Sequence, residues 1–562
     1  MIHLKIKSIK DTIHGYIRIE EPFWKIIDTA EFQRLKWVEQ TSYRVLYPSA
    51  RHDRFIHSIG VYHLGQKAIT GFIKNCNHDD SEVIKKFRNS FLLGCILHDL
   101  GHAPFSHTCE DLFNYQEKIT NPSCSLNALL FESYKNSSND VIFERFKKDY
   151  TYILNSTDGI CKAPSEHEVM SAVLTIKNFH KFKSFFEEDA FLDLDLAIRS
   201  ILGCVYAVAA GDEQEQKQIS GIKNCLIRLL NSSTVDVDKL DYIARDTQMS
   251  GYDNIVLDNE RLLDSTCIVI NNDGIYLPAF KKSALSIINN VILAKNSQAQ
   301  WIVNHPIVLY DAYLLRRAIG ISVKNIYDKQ FTDSENISSF DLLLKTIFSY
   351  GALSKDGICV DNNEIKLLSD IELLNWMKQN INNPCVSEYF SRDERKSPIW
   401  KSNEEFLFHL NSDKDKAKEI SDFIAPLITY LNNIEDLYLS KEISSTLNEK
   451  IATEEIDGKD ELIKIVDSLT SYADADGNVG FEYVILPAKN SFFTKINAKN
   501  INIRFGDNEK EYTSYENIRD NTFELTSKTY EFFYLYSNKK IDVKHFLNYL
   551  YSKAHASSYI RA

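Results

Sequence analysis

The chain opens with apolar and polar side chains in alternation over residues 2 to 9, the pattern of a strand, and residues 16 to 19 can pair back as a hairpin around Asp11 to Gly15. From Pro22 to about Gln40 the spacing becomes helical, with Phe23, Ile26, Ile27, Phe32, Leu35 and Val38 on related faces. Segments 55–75, 82–100, 166–182, 192–210, 218–230 and 279–323 repeat that period, so most of the first 330 residues is expected to be a helical bundle. Between about 131 and 165 the chain is polar and rich in Asn, Ser and Lys, which predicts an insertion or mobile loop. Beyond 330 the pattern turns irregular and acidic, then gives strand-like runs at Phe481 to Leu486, Ile501 to Phe505 and Tyr530 to Tyr536. The expected fold class is therefore mainly α: a helical domain with a short hairpin over 1–330, and a smaller α+β lobe over 331–562.

Composition narrows this picture. Across 562 residues, hydrophobic side chains make up 44% and charged ones 25%, as in a globular protein and unlike a disordered or fibrous one. Only 19 Gly and 11 Pro are present, few for a turn-dense β fold. Lys plus Arg is 65 against 78 Asp plus Glu, a net charge of −13, so nucleic acid is not expected as the main partner. The ten cysteines contain no CxxC pair, which points to reduced thiols and a cytoplasmic address. The longest apolar stretch, Ile201 to Ala210, is too short to span a bilayer, and no membrane association is expected.

The chemistry is concentrated in four places: Arg54-Phe-Ile-His57, His98-Asp99-Leu-Gly-His102-Ala-Pro-Phe-Ser-His107, Glu166-His167-Glu168, and Asp236-Val-Asp238-Lys239-Leu-Asp241-Tyr242. Neighbours on a helix lie about 100° apart, so His98 and Asp99 can share an ion only off the helix end, with other ligands arriving from separate helices. His57 and Asp238 are the obvious suppliers. Two imidazoles and two carboxylates suit Mn, Fe, Co, Ni or Zn in a reactive site, whereas a structural zinc prefers thiolates. His-Asp pairs also arise by chance, as at His52-Asp53 and His78-Asp79; the copy at 98 differs in ending an apolar helix and in having histidines four and nine positions on.

In this order RFIHSIGV, HDLGHAPFSH, SEHE and DVDKLDYIARD resemble the HD-domain phosphohydrolases, and more narrowly their deoxynucleoside triphosphate (dNTP) triphosphohydrolase branch. The resemblance starts at Asp11-Thr-Ile-His-Gly15, passes through Asp28 to Leu35, and covers about residues 5 to 325. It implies His57, His98, Asp99 and Asp238 as ligands of a divalent transition metal, with Mg accompanying the substrate phosphates. His102, His107, Glu110 and His167 fall where acid/base groups are expected, and Glu168 could orient an imidazole or join a second metal site. Arg54 and Lys239 match phosphate contacts; Tyr242, Asp246 and Gln40 match contacts to the sugar. Asp236, Asp241 and Arg245 are expected to brace the motif.

The chain departs from the family pattern in three places. Thr41 stands where an apolar residue lies against the sugar, Lys295 replaces an arginine that touches phosphate, and Val303 replaces a base-stacking tyrosine. The family is often regulated by nucleotides bound between subunits. Asp28 and Gln33 match its guanine-nucleotide site, while Lys36 replaces an arginine there. The implied reaction is metal-dependent cleavage of a dNTP to deoxynucleoside and triphosphate, in a homo-oligomer (dimer, tetramer or hexamer) activated by GTP or a dNTP, with a role in antiviral defence by family analogy alone. The rivals are cleavage of another phosphate ester (a nucleoside monophosphate, ppGpp or a signalling nucleotide) and a nucleotide-sensing module without chemistry.

Overall fold

A computed structural model describes residues 5–114, 125–156, 163–208, 213–252, 256–330, 347–360, 363–393, 395–433, 442–443, 445–488, 497–506, 508–518 and 530–561. The architecture is mainly α, with small sheets, and it divides into two compact units. The first contains Met1–Gln298, Gln330–Leu373 and Thr494–Thr522; the second contains Ala299–Lys329, Leu374–Phe493 and Phe523–Ala562.

In the first unit, strands β1 (Ile6–Asp11) and β2 (Gly15–Glu20) form the expected antiparallel hairpin, with Asp11 opposite Gly15. Gly15 has φ 72°, the left-handed geometry a tight turn needs. The helix expected from Pro22 to Gln40 is interrupted. Helix α1 (Glu21–Ile27) stops at Asp28, Thr29 is extended, and α2 (Ala30–Gln33) runs into a 3-10 turn at Arg34–Trp37. Thr29 Oγ1 donates to Ile26 O at 2.7 Å, a local bond that competes with helix continuation.

Helices α3 (Arg54–Asn75) and α4 (His78–Leu97) pack side by side, capped by Asp53 and Asn77, whose side chains accept from Ile56 N and Asp80 N. The region expected to be a loop instead forms α5 (Leu126–Lys135) and α6 (Asp140–Asn155); residues 157–162 lie outside the described residues. Ser125 and Asn139 cap these helices, and α6 buries Phe143, Phe146, Tyr150 and Ile153, a helical spacing that the polar composition obscured.

Helix α7 (Glu166–Lys183) follows the expectation. Helix α8 (Leu194–Leu202) ends eight residues before the expected 210, because Gly203 takes the left-handed C-cap. After α9 (Gln214–Leu230), α10 (Val237–Ser250) and α11 (Asn259–Asp264) comes the hairpin β3 (Thr266–Ile270) and β4 (Tyr276–Lys281), and only then α12 (Leu285–Gln298). The start of the expected helix 279–323 is thus strand. Strand Asn502–Arg504 adds to β4 in parallel, within the strand-like run 501–505.

The second unit is built on a four-stranded sheet in the order Ser397–Pro398, Phe533–Ser537, Tyr483–Pro487, Glu442–Ile443. Its core includes Ile420, Leu427 and Phe546 from helices and Trp400 and Tyr472 from the segments between elements. Among the described residues no helix is long and apolar enough to cross a membrane.

Candidate metal and phosphate centre

Each principal group sits at a helix end, where one side chain can leave the bundle wall without disturbing the ladder. His57 lies in the first turn of α3, Asp238 lies in the first turn of α10, and His98 is the C-cap of α4. His57 Nε2 lies 3.1 Å from Asp238 Oδ1, 3.5 Å from Asp99 Oδ2 and 3.3 Å from His98 Nε2. His98 Nε2 lies 3.4 Å from Asp99 Oδ1 and 3.6 Å from Asp238 Oδ1. Ligands at right angles around an ion with bonds near 2.1 Å are about 3.0 Å apart; His57, His98 and Asp99 offer ligand atoms all within 4.8 Å of one another, compact enough to hold one cation, and Asp238 adjoins both histidines. Burial opposes charge on His57, but hydrogen bonds to Asp238 and Asp241 push its imidazole up to about 9, as expected where negative charge is in surplus.

The outer nitrogens of both histidines are engaged. His98 Nδ1 is 2.9 Å from Cys95 O and therefore donates, leaving Nε2 for the site. His57 Nδ1 meets Asp241 Oδ2 at 2.7 Å. Asp241 also binds Arg245 through two bonds of 2.8 and 2.9 Å and meets His14 Nε2 at 2.6 Å. Arg245 in turn donates to Asp11 Oδ2 at 2.8 Å, while Asp11 Oδ1 accepts from the backbones of Ile13 and His14. The N-terminal hairpin turn is thus wired through buried charges to a candidate ligand. Helix α3 can approach Asp241 only because position 60 is glycine: a Cβ there would lie 2.0 Å from Asp241 Oδ1.

Beside this cluster stand three further histidines. His102 stacks on His167 with ring centroids 3.9 Å apart, and His107 lies edge-on to both. His102 Nε2 is 3.2 Å from Asp99 Oδ1. Burial, reinforced by Arg54 and His167, holds the His102 imidazole well below its usual pKa. Glu110 joins the other two, meeting His167 Nδ1 at 2.5 Å and His107 Nδ1 at 2.6 Å. Burial works against the Glu110 charge, but the two imidazoles outweigh it and hold the carboxyl far below the ordinary range. The same pairing raises His167 against its own burial. Glu168 closes a capping box, accepting from Ser165 N at 2.6 Å, and accepts from Asn231 Nδ2 at 2.9 Å.

The phosphate and sugar candidates are held by the protein's own groups. Arg54 donates to Asp99 Oδ2 at 2.8 Å, to Ser106 Oγ at 2.9 Å and to Gln40 O at 3.2 Å. Lys239 pairs with Asp236 and donates to Ser232 O. Asp246 accepts from Gln298 Nε2 at 2.7 Å and pairs with His52 Nε2 at 2.8 Å. Lys295 Nζ lies 4.2 Å from the centre of the Tyr242 ring. Buried Gln40 Oε1, Thr41 Oγ1 and His52 Nδ1 make no hydrogen bond among the described residues. Of the candidate regulatory residues, Asp28 pairs with Lys7 at 3.0 Å, and Gln33 accepts from Lys36 at 2.7 Å while donating to Ile27 O.

Sequence reasoning gave no role to His14, which meets Asp241, or to His52. His52-Asp53 reads as a chance pair, yet His52 reaches Asp246 and Asp53 caps α3. His78 and Asp79 are exposed, as a chance pair would be.

An uncharacterised Bacillus subtilis protein, YwfO, is 39% identical over 112 residues, 19% of this chain and 24% of that one. A Dictyostelium discoideum protein described as a deoxynucleoside triphosphate triphosphohydrolase SAMHD1 homolog is 26% identical over 269 residues, 47% of this chain and 40% of its own length. A putative HD domain-containing protein, L394, of Acanthamoeba polyphaga mimivirus is 24% identical over 348 residues, 59% of this chain and 60% of its own. The chain is similar to an HD domain-containing protein and to several dNTP triphosphohydrolases. It spans less than two thirds of the length of each of these relatives. No protein-family model matches the chain. A solved structure of a hypothetical Aquifex aeolicus protein aligns over 99% of this chain and 100% of its own with 15% identity and a TM-score of 0.45, too distant to bear on the site.

Proposed function

We propose that this protein is a metal-dependent HD-domain phosphohydrolase that cleaves a dNTP to deoxynucleoside and triphosphate. The observation that carries the reading is the convergence of His57, His98 and Asp99 from two helix ends, with Asp238 of a third reaching His57 at 3.1 Å and His98 at 3.6 Å. A divalent transition ion held there would supply Lewis-acid polarisation of a phosphate oxygen and a lowered pKa for the attacking water. His57, His98, Asp99 and Asp238 would hold that ion, while Arg54 donates to Asp99 beside it. Lys239, next to Asp238, adds a second positive charge for the polyphosphate.

Water oxygen bonds to the α-phosphorus as the bond from phosphorus to the 5′ oxygen breaks, and the leaving oxygen needs a proton. The stack of His102, His107 and His167 with Glu110 provides imidazoles of contrasting proton affinity for that transfer. Gln40, Tyr242 and Asp246 serve the sugar, with Lys295 alongside. A buried polar atom without a partner costs roughly 1–3 kcal/mol, so Gln40 Oε1, Thr41 Oγ1 and His52 Nδ1 favour a ligand edge rich in hydrogen-bonding groups. Asp28, Gln33 and Lys36 form the candidate site for an activating nucleotide in a homo-oligomer, and the second unit is the candidate oligomerisation and regulatory part.

The test is turnover of each dNTP with Mn²⁺, with and without GTP, and product analysis by chromatography. Triphosphate and deoxynucleoside are expected, with loss of turnover in His98→Ala. Monophosphate plus pyrophosphate, or no turnover under any combination, overturns the reading; a rate indifferent to GTP and to every added dNTP overturns the regulatory part.

A further inference from the structure

The segment 347–373, which carries no recognisable motif, returns to the first unit and places one carboxylate at its centre. Asp370 is 4% exposed. Its Oδ1 accepts from Phe105 N at 2.7 Å and its Oδ2 from Glu39 N at 2.8 Å. Those two amides belong to the two backbone stretches that hold Arg54: Gln40 O, next to Glu39, accepts from Nη2, and Ser106 Oγ, next to Phe105, accepts from Nε. Ser106 Oγ also donates to Glu39 O, so the stretches are tied directly as well.

The turn at Phe105 and Ser106 is strained. Both residues have left-handed φ, 55° and 51°, a conformation unfavourable for a side chain that persists where surrounding contacts enforce it. Arg34 supplies the other clamp, donating to Leu368 O at 2.9 Å and, through Nη2, to Leu100 O and His102 O at 2.8 and 2.9 Å. The strained turn therefore hangs between a carboxylate and a guanidinium, and it joins His102 to His107.

We propose that Asp370 is a positioning residue for the phosphate site: by pinning Glu39 N and Phe105 N it sets the two stretches that aim Arg54 at Asp99 and fixes the turn carrying His102 and His107. The kinetic consequence rests on the phosphohydrolase reading, while the structural one stands apart from it. In Asp370→Asn the amide oxygen can still accept from one backbone N–H, but its NH₂ faces the other, so one stretch is released with little change in volume.

The experiment compares Asp370→Asn with Glu372→Gln in the full chain loaded with Mn²⁺. Glu372 accepts from Ser369 N and Oγ and stabilises the same segment without touching the turn. In Asp370→Asn, hydrogen–deuterium exchange is expected to accelerate at residues 38–41 and 103–107, and kcat to fall about tenfold with KM within about twofold, because misaimed groups cost rate more than ground-state binding. Glu372→Gln should match the wild type on both readouts. Wild-type exchange in Asp370→Asn overturns the proposal, as does an equal effect in Glu372→Gln, which would make the segment a general support. If the wild type turns over no nucleotide, the function reading fails and the exchange comparison alone decides the role of Asp370.

Discussion

The two compact units bury charge to different depths: Asp311, Arg317, Glu388 and Lys396 of the second keep 7–9% exposure, whereas Asp11, Arg54, His57, Asp99, Asp241 and Arg245 of the first keep 0–5%. The second encloses aliphatics and aromatics, with Trp400 fully buried and donating from Nε1 to Phe533 O, and Tyr536 donating to Pro306 O. The first encloses, besides its apolar helix faces, a connected set of charges: Asp11, Arg245, Asp241, His57, Asp99 and Arg54. An apolar core gains from every methylene removed from water, whereas buried ions cost desolvation that only exact partnering offsets. The second unit's interior thus reads as stability. The first unit's charged interior is an expensive way to be stable and an economical way to hold groups in fixed orientation.

Three changes would break or sharpen that contrast. The largest is in the second unit. Trp400→Ala removes a fully buried indole and is expected to cost about 3–5 kcal/mol of unfolding free energy, measured by denaturant titration followed by circular dichroism. Turnover per folded molecule should stay at the wild-type value below the transition. A stability loss under 1 kcal/mol would show that the second unit's aromatic core is not what it looks like.

The second change is in the charged network. Asp241→Asn keeps the shape of the side chain but removes the charge facing His57, His14 and Arg245. Partners of ligating histidines typically contribute 10–100-fold, so metal affinity or kcat is expected to drop by about that factor, read by metal titration and steady-state rates. Unchanged affinity and unchanged rate together would mean that the chain from Asp11 to His57 is a structural brace alone.

How much of this was legible in the sequence follows from the same contrast. His57, His98, Asp99 and Asp238 stood out because reactive side chains at helix ends come in short motifs, and the hairpin and long helices declared themselves by period. The helix Asp140–Asn155 did not, because the Asn, Ser and Lys of the surrounding segment and the exposed Val141, Tyr152 and Leu154 of the helix itself mask Phe143, Phe146 and Tyr150 spaced along the hidden face. The pairing of Asn502–Arg504 with β4 and the reach of Asp370 to Phe105 join positions more than two hundred residues apart, and nothing local in either partner names the other. Nor does a motif say which cations are already matched: Lys239 reads as a phosphate lysine, yet Asp236 holds it.

The smallest change probes where the contrast ends. Lys7 and Asp28 form an ion pair at 3.0 Å with both side chains about half exposed, beside the candidate regulatory residues. Solvent and salt screen such a pair, and pairs of this kind contribute about 0–1 kcal/mol. Lys7→Ala is therefore expected to leave the denaturation midpoint almost unmoved. Lys7 also lies 3.7 Å over the Trp24 ring, so its stem covers apolar surface that the substitution uncovers, and any measurable loss should persist at high salt. A loss that disappears in 1 M NaCl would instead assign it to charge pairing, and the rule that only the buried network of the first unit makes its charges count would then fail at the unit's surface.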